Sequence, residues 1–84
     1  MEKIVNGNRY EFINSYTRKK DGFSHRTALR KNGELIQTGI VYWSNRTWES
    51  FPFATSMNKA TKLEMENASP EYKKELEELL WENG

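Results

Sequence analysis

The sequence contains no cysteine, one histidine and one aspartate, and those shortages remove most catalytic and metal-binding chemistry at the outset. Without cysteine there is no disulfide framework, thiolate nucleophile or thiolate metal site, which fits a reducing compartment. The aspartate, Asp21, falls beside a glycine in a turn signal, so a metal site would have to be assembled from scattered glutamates. His25 falls within a strand pattern on the side expected to face the core, where packing or hydrogen bonding is its expected role rather than proton transfer. The glycines Gly7, Gly22, Gly33, Gly39 and Gly84 stand apart and form no phosphate-cradling loop. No apolar run approaches the ~20 residues of a membrane span, and Met1 to Tyr10 has no continuous apolar stretch that would serve as a signal peptide. These shortages lead to the expectation of a cytoplasmic, non-enzymatic chain with no cofactor, no metal and no membrane partner. In that setting the sequons Asn45-Arg46-Thr47 and Asn67-Ala68-Ser69 are accidents of composition.

What the chain does have is core-forming bulk. Its 84 residues are 36% hydrophobic and 30% charged, with eleven aromatic side chains, a composition that folds. This length suits one domain over residues 1–84, with a sheet in 1–53 and helices in 54–84. A domain of this size hides only about 60% of its unfolded surface, so a partner or a homodimer is a natural source of further stability. The net charge of +1 conceals an asymmetry: Met1 to Phe53 carries nine Lys/Arg against five Asp/Glu, +4, and Ala54 to Gly84 four against seven, −3.

Strand signals come first and helix signals last, an order that predicts an α+β fold rather than a parallel βαβ one. Asn32-Gly33, between Phe23–Lys31 and Glu34–Trp43, matches a two-residue type I′ hairpin turn. An uninterrupted ladder from that turn pairs Leu29 with Ile36, Thr27 with Thr38, His25 with Ile40 and Phe23 with Tyr42, all on the expected core face. Asp21-Gly22 signals a second turn, joining Arg9–Lys20 to the next strand and placing Phe12 and Tyr16 on that same face, whereas a bulged three-residue loop would select Ile13. A turn at Ser44-Asn45 leads to an edge strand over Arg46–Phe53, ended by Pro52. Thr55 or Ser56 is a candidate cap for a helix to about Glu66, with Phe53, Met57, Ala60 and Leu63 along one side. Ser69, Pro70 and Glu71 open a second helix that runs toward Gly84 and buries Tyr72, Leu76, Leu79 and Leu80, leaving the glutamates from Glu71 to Glu82 on a solvated face. The expected architecture is a four-stranded antiparallel meander followed by two helices packed on one face of the sheet. Its expected core is Phe12, Tyr16, Leu29, Ile36, Ile40, Phe51, Leu76 and Leu79.

With that core face, the opposite face of the sheet carries Arg26, Arg30, Leu35, Val41, Trp43 and Trp48. Tryptophan and arginine are the residues that anchor protein interfaces, and with a net charge near zero a protein partner is expected. The alternative is single-stranded nucleic acid, whose bases stack on aromatics and whose phosphates pair with arginines. A purely structural role, Trp43 and Trp48 pairing across the hairpin or lying under the helices, competes with both. Trp81, away from the leucine stripe of the last helix, is a further candidate contact.

One stretch also carries a resemblance. Tyr42, Asn45-Arg46-Thr47-Trp48-Glu49, Phe51, Phe53, Ser56, Met57 and Ala60 form a pattern that resembles one in small uncharacterised proteins of bacteriophages and other bacterial mobile elements. It implies a setting rather than an activity. Physically the same stretch reads as a turn, an edge strand and the entry to a helix.

Overall fold

The computed structural model describes residues 1–44 and 52–81. Four strands, β1 (Glu2–Val5), β2 (Asn8–Lys19), β3 (Gly22–Lys31) and β4 (Glu34–Ser44), form an antiparallel sheet in the order β1-β2-β3-β4. Two helices follow, α1 (Pro52–Met65) and α2 (Pro70–Glu77), and α1 packs across β3 and β4. The fold is therefore α+β, a meander followed by helices. No helix among the described residues is long and apolar enough to cross a membrane.

Two asparagine–glycine pairs make the hairpins. Asn32 and Gly33 have φ of 50° and 86°, and Asn6 and Gly7 have φ of 50° and 80°, the left-handed values of a type I′ turn whose twist suits the flanking strands. The second of these adds β1, a strand not expected from the sequence, although the dipeptide signal is the same. Of the expected strand over Arg46–Phe53, Arg46 to Phe51 lie outside the described residues, and Pro52 and Phe53 instead begin α1. The β2–β3 turn is at Lys20-Asp21 rather than Asp21-Gly22, since Lys19 pairs with Gly22. That shift leaves the side-chain parity unchanged, so Phe12 faces Leu29 and Tyr16 faces His25 on the expected side.

The β3–β4 ladder departs from expectation more seriously. Lys31 pairs with Glu34 and Arg30 with Leu35, but Leu29 then pairs with Gln37, so Ile36 is an extra residue, a β-bulge. Beyond it β4 is displaced by one residue and its faces are exchanged. Thr27 is opposite Gly39 rather than Thr38, His25 opposite Val41 rather than Ile40, and Phe23 opposite Trp43 rather than Tyr42.

The exchange brings Gly39 under α1, where its missing side chain is needed. A Cβ there would lie 2.5 Å from the Ser56 carbonyl oxygen and 2.6 Å from the Ala60 nitrogen. Helix backbone thus rests almost directly on strand backbone, with the small residues Ser56 and Ala60 fully buried at the crossing. Polar side chains share this seam: the Thr27 hydroxyl lies 2.6 Å from Asn14 Oδ1 and 2.8 Å from Ser56 Oγ. Helix α1 starts at Pro52, so Thr55 and Ser56 fall within its opening turns rather than capping it. The second helix begins as expected, with Ser69 Oγ accepting from the Tyr72 N–H and Pro70 in the first helical position. It ends at Glu77, well before Gly84.

The core contains Val5, Tyr10, Phe12, Leu29, Met57, Ala60, Leu76 and Leu79, with Ile36 and Tyr72 half-buried against it. Of the expected members, Tyr16 is exposed, and Ile40 is turned to the other face by the bulge. Phe51 is outside the described residues.

Candidate functional site

Both helices lie on the side of the sheet that bears Tyr10, Phe12, Leu29 and Gly39. Among the described residues nothing covers the other side. Alternation along the four strands places Ile4, Arg9, Glu11, Ile13, Arg26, Arg30, Leu35, Thr38, Ile40 and Tyr42 there. Its large apolar members are exposed: Ile4 67%, Ile13 47%, Leu35 59%, Ile40 36% and Tyr42 72%. Arg26 pairs with Ile40 and Arg30 with Leu35, so each arginine stands beside an exposed aliphatic side chain. The charges are mixed, with Arg9 3.4 Å from Glu11, and Glu11 opposite Arg30 in the ladder. The Arg30 guanidinium also donates to the Gly33 carbonyl, which ties it to the hairpin turn.

The structure therefore brings together only part of the expected binding set. Arg26, Arg30 and Leu35 share the open face. Trp43 and Val41 do not: the bulge turns them to the helix side, opposite Phe23 and His25, and the Trp43 Nε1 is buried. Trp48 lies outside the described residues. Trp81 sits past the end of α2, where its N–H donates to Asn58 Oδ1 at 2.7 Å and its carbonyl accepts from Asn58 Nδ2 at 2.9 Å. It is 40% exposed and lines a cleft with Lys3, Phe12 and Leu80, away from the arginines. Ile40 and Tyr42 are the face members that sequence reasoning placed in the core, and only the bulge reveals them. Among the described residues of this face Tyr42 is the aromatic one, so it offers little to a stack of bases.

The histidine and one of the glutamates are engaged in packing and hydrogen bonding. His25 is buried, stacked on Tyr16 at 5.7 Å between ring centres and meeting Phe23 edge-on at 4.9 Å. Burial lowers its pKa, because charging the imidazole there means losing hydration.

Glu75 corrects the expectation of a solvated glutamate face, since it is only 8% exposed. The spacing of the helix explains this: Tyr72, Glu75, Leu76 and Leu79 are i, i+3, i+4 and i+7, one continuous stripe, so Glu75 had to point inward with its apolar neighbours. Tyr10 donates its hydroxyl to the carboxylate, Asn8 Nδ2 donates at 3.1 Å and Asn6 Nδ2 at 3.3 Å, with Lys31 Nζ at 4.0 Å. The hydrogen bond from Tyr10 is the main force lowering the Glu75 pKa, against the opposing effect of burial, with Asn6, Asn8 and Lys31 adding to it. Lys31 also lies over the Tyr72 ring, 4.4 Å from its centre, while the Tyr72 hydroxyl donates to Glu64 at 2.9 Å and burial pushes its pKa up to about 12. An ionised carboxylate with this many partners fastens α2 to the β1–β2 turn and has little capacity left for a substrate.

Comparison of the chain with protein-family models, with curated proteins and with solved structures finds no match.

Proposed function

We propose that this chain is a non-enzymatic recognition protein that binds a protein partner through the open face of its sheet. The observation that carries this reading is the row of exposed apolar side chains, Ile13, Leu35, Ile40 and Tyr42, on a face that neither helix covers. Exposed apolar surface rimmed by polar groups marks interaction sites, and arginine and tyrosine are enriched among the residues that dominate such interfaces. Arg26 and Arg30 stand beside that row, and Glu11 beside Arg30 keeps the face from being uniformly basic. Mixed charge over aliphatic side chains fits a protein better than a polyanion. The resemblance of Tyr42 to Ala60 to proteins of bacteriophages and mobile elements suggests an accessory role in which the partner is a host or element-encoded protein.

The test is capture from nuclease-treated bacterial lysate, with wild type beside Ile13→Glu and Arg26→Glu, each first shown to be folded by its urea transition. The expected result is a discrete partner lost with both variants. Equal capture by wild type and both variants would overturn the reading. A parallel titration with labelled single-stranded oligonucleotides separates the two partner classes. Binding that weakens with salt, by about 0.7 in the log–log slope for each phosphate neutralised, and that disappears in Arg26→Ala with Arg30→Ala, would replace the protein reading with a nucleic-acid one.

A further inference from the structure

We infer that the outer edge of β4 is a strand-docking site for an extended, acidic segment of the protein partner, an inference that rests on the protein-recognition reading above. The two edges of the sheet differ in kind. β1 is four residues long and begins Glu2-Lys3, whereas β4 has eleven residues and no charged one after Glu34. Natural edge strands are protected by shortness, charge, bulges or covering structure; β4 is long, uncharged beyond Glu34 and rich in β-formers, no strand among the described residues pairs with its outer edge, and its bulge at Ile36 lies near one end only.

Backbone geometry shows which groups are on offer. The closing pair of a two-residue hairpin is hydrogen-bonded and bonding alternates along an antiparallel ladder, so after the bulge Gln37, Gly39 and Val41 bond to β3. Thr38, Ile40 and Tyr42 then direct their N–H and C=O groups away from the sheet. The side chains confirm this alternation: Lys59 Nζ donates to the Ile40 carbonyl at 2.6 Å, and Gln37 Oε1 accepts from the Thr38 N–H at 3.4 Å. The ammonium of Lys59 thus occupies the place that an N–H of an added strand would take. An incoming strand that bonds Ile40 would displace it and leave a cation beside the new backbone.

That displaced cation defines the occupant. Residues of the added strand alternate between two surfaces. One set extends the open face next to Ile40 and Tyr42, where apolar side chains fit. The other lies on the helix side, where Lys59 already reaches the Ile40 carbonyl and Lys62, one turn further along α1, shares with it a groove also lined by Asn58, Leu63 and Glu66. Acidic residues therefore match the Lys59 and Lys62 section. A second copy of this chain is a poorer match, since its β4 carries no carboxylate after Glu34 and its α1 would bring a second Lys59 to the seam.

The probe is a capped seven-residue peptide alternating valine and glutamate, titrated into the isotope-labelled full chain and followed by amide chemical shifts, beside the same peptide with lysine for glutamate. Shifts at Thr38, Ile40 and Tyr42, with the glutamate peptide binding roughly fivefold more tightly than the lysine one, are expected from ion pairing at a partly exposed site. Lys59→Met keeps the aliphatic stem and should reduce that preference, with Lys62→Met added removing it, while leaving the urea transition in place. Absence of shifts along β4 at millimolar peptide, equal binding of both peptides, or a concentration-dependent dimer that broadens the same β4 amides would each overturn the inference. Ile13 is two strands away from this edge, so loss of lysate capture in Ile13→Glu together with a silent β4 edge would sink strand docking and leave the face reading standing.

Discussion

Replacing Gly39 by alanine tests the central packing feature of the fold, the contact of α1 backbone with β4 backbone. The added Cβ would sit 2.5 Å from the Ser56 oxygen, 2.6 Å from the Ala60 nitrogen and 3.1 Å from the Ala60 Cα. Ordinary carbon contacts are about 3.5–4.0 Å, so relief requires α1 to move off the sheet by roughly an ångström. None of the three atoms belongs to a side chain that can turn aside. Overpacking of a core costs about 1–3 kcal/mol, and a clash with helix backbone belongs at or above the top of that range because the Thr27–Ser56 contact at 2.8 Å is disturbed with it. We expect a loss of about 3 kcal/mol, a large part of the ~4–12 kcal/mol that a domain of this length commands, and a fall in Tm of roughly 12–24 °C. The assay is urea unfolding followed by tryptophan fluorescence. In an unobstructed strand the same change would be neutral or stabilising by up to about 1 kcal/mol, because alanine restricts the unfolded chain. A measured loss below about 0.5 kcal/mol would therefore refute the close approach. A control adds force: Ala60→Gly in the Gly39→Ala background removes a Cβ that is not among the clashing atoms, so recovery of stability in the double variant would also count against it.

Further expectations concern the polar fastening and the core. Tyr10→Phe should cost about 1–3 kcal/mol and raise the Glu75 pKa toward an ordinary carboxylate value in a carbon-detected titration, since the hydrogen bond that chiefly lowers it is gone. An unchanged Glu75 titration would show that the contact carries no weight. Acid should destabilise the protein in stages. His25, whose folded pKa is lowered, loses stability as pH falls below its unfolded value of about 6.5, where the unfolded chain takes up a proton that the folded one resists. Glu75, also lowered, contributes above the unfolded carboxylate pKa of about 4.3, and that contribution is lost as pH falls through its folded value. Urea midpoints measured from pH 7 to 3 in wild type and His25→Gln check both, and a midpoint rising between pH 7 and 5 would contradict the first. Leu76→Ala, at a fully buried position, should cost about 2–5 kcal/mol, and Ile36→Ala, on the half-buried bulge, distinctly less.

Local signals in this chain were sufficient for its local structure. Asn32-Gly33 specifies a type I′ turn because those residue types tolerate positive φ, and the alternation of Phe12, Leu29 and their neighbours specifies which side of β2 and β3 is buried. Ser69-Pro70 marks the start of α2 for similarly short-range reasons. Even β1 was within reach, since Asn6-Gly7 repeats the turn signal, and so was the inward position of Glu75 on the Tyr72–Leu79 stripe. The bulge at Ile36 is different. An alternating strand with one extra residue has the same composition as one without, and either face of β4 offers apolar side chains, Ile36 and Ile40 or Val41 and Trp43. What favours the bulged register is long-range: only it puts Gly39, the one residue of β4 without a Cβ, beneath Ser56 and Ala60 of a helix that begins thirteen residues later. Helix packing decided the register, and the register decided the composition of the open face, sending Trp43 inward and Ile40 and Tyr42 outward. The sequence by itself thus determined the elements and their order, because turns and periodicity act over a few residues, while the composition of the sheet's exposed face depended on a backbone contact that exists only once sheet and helix have come together.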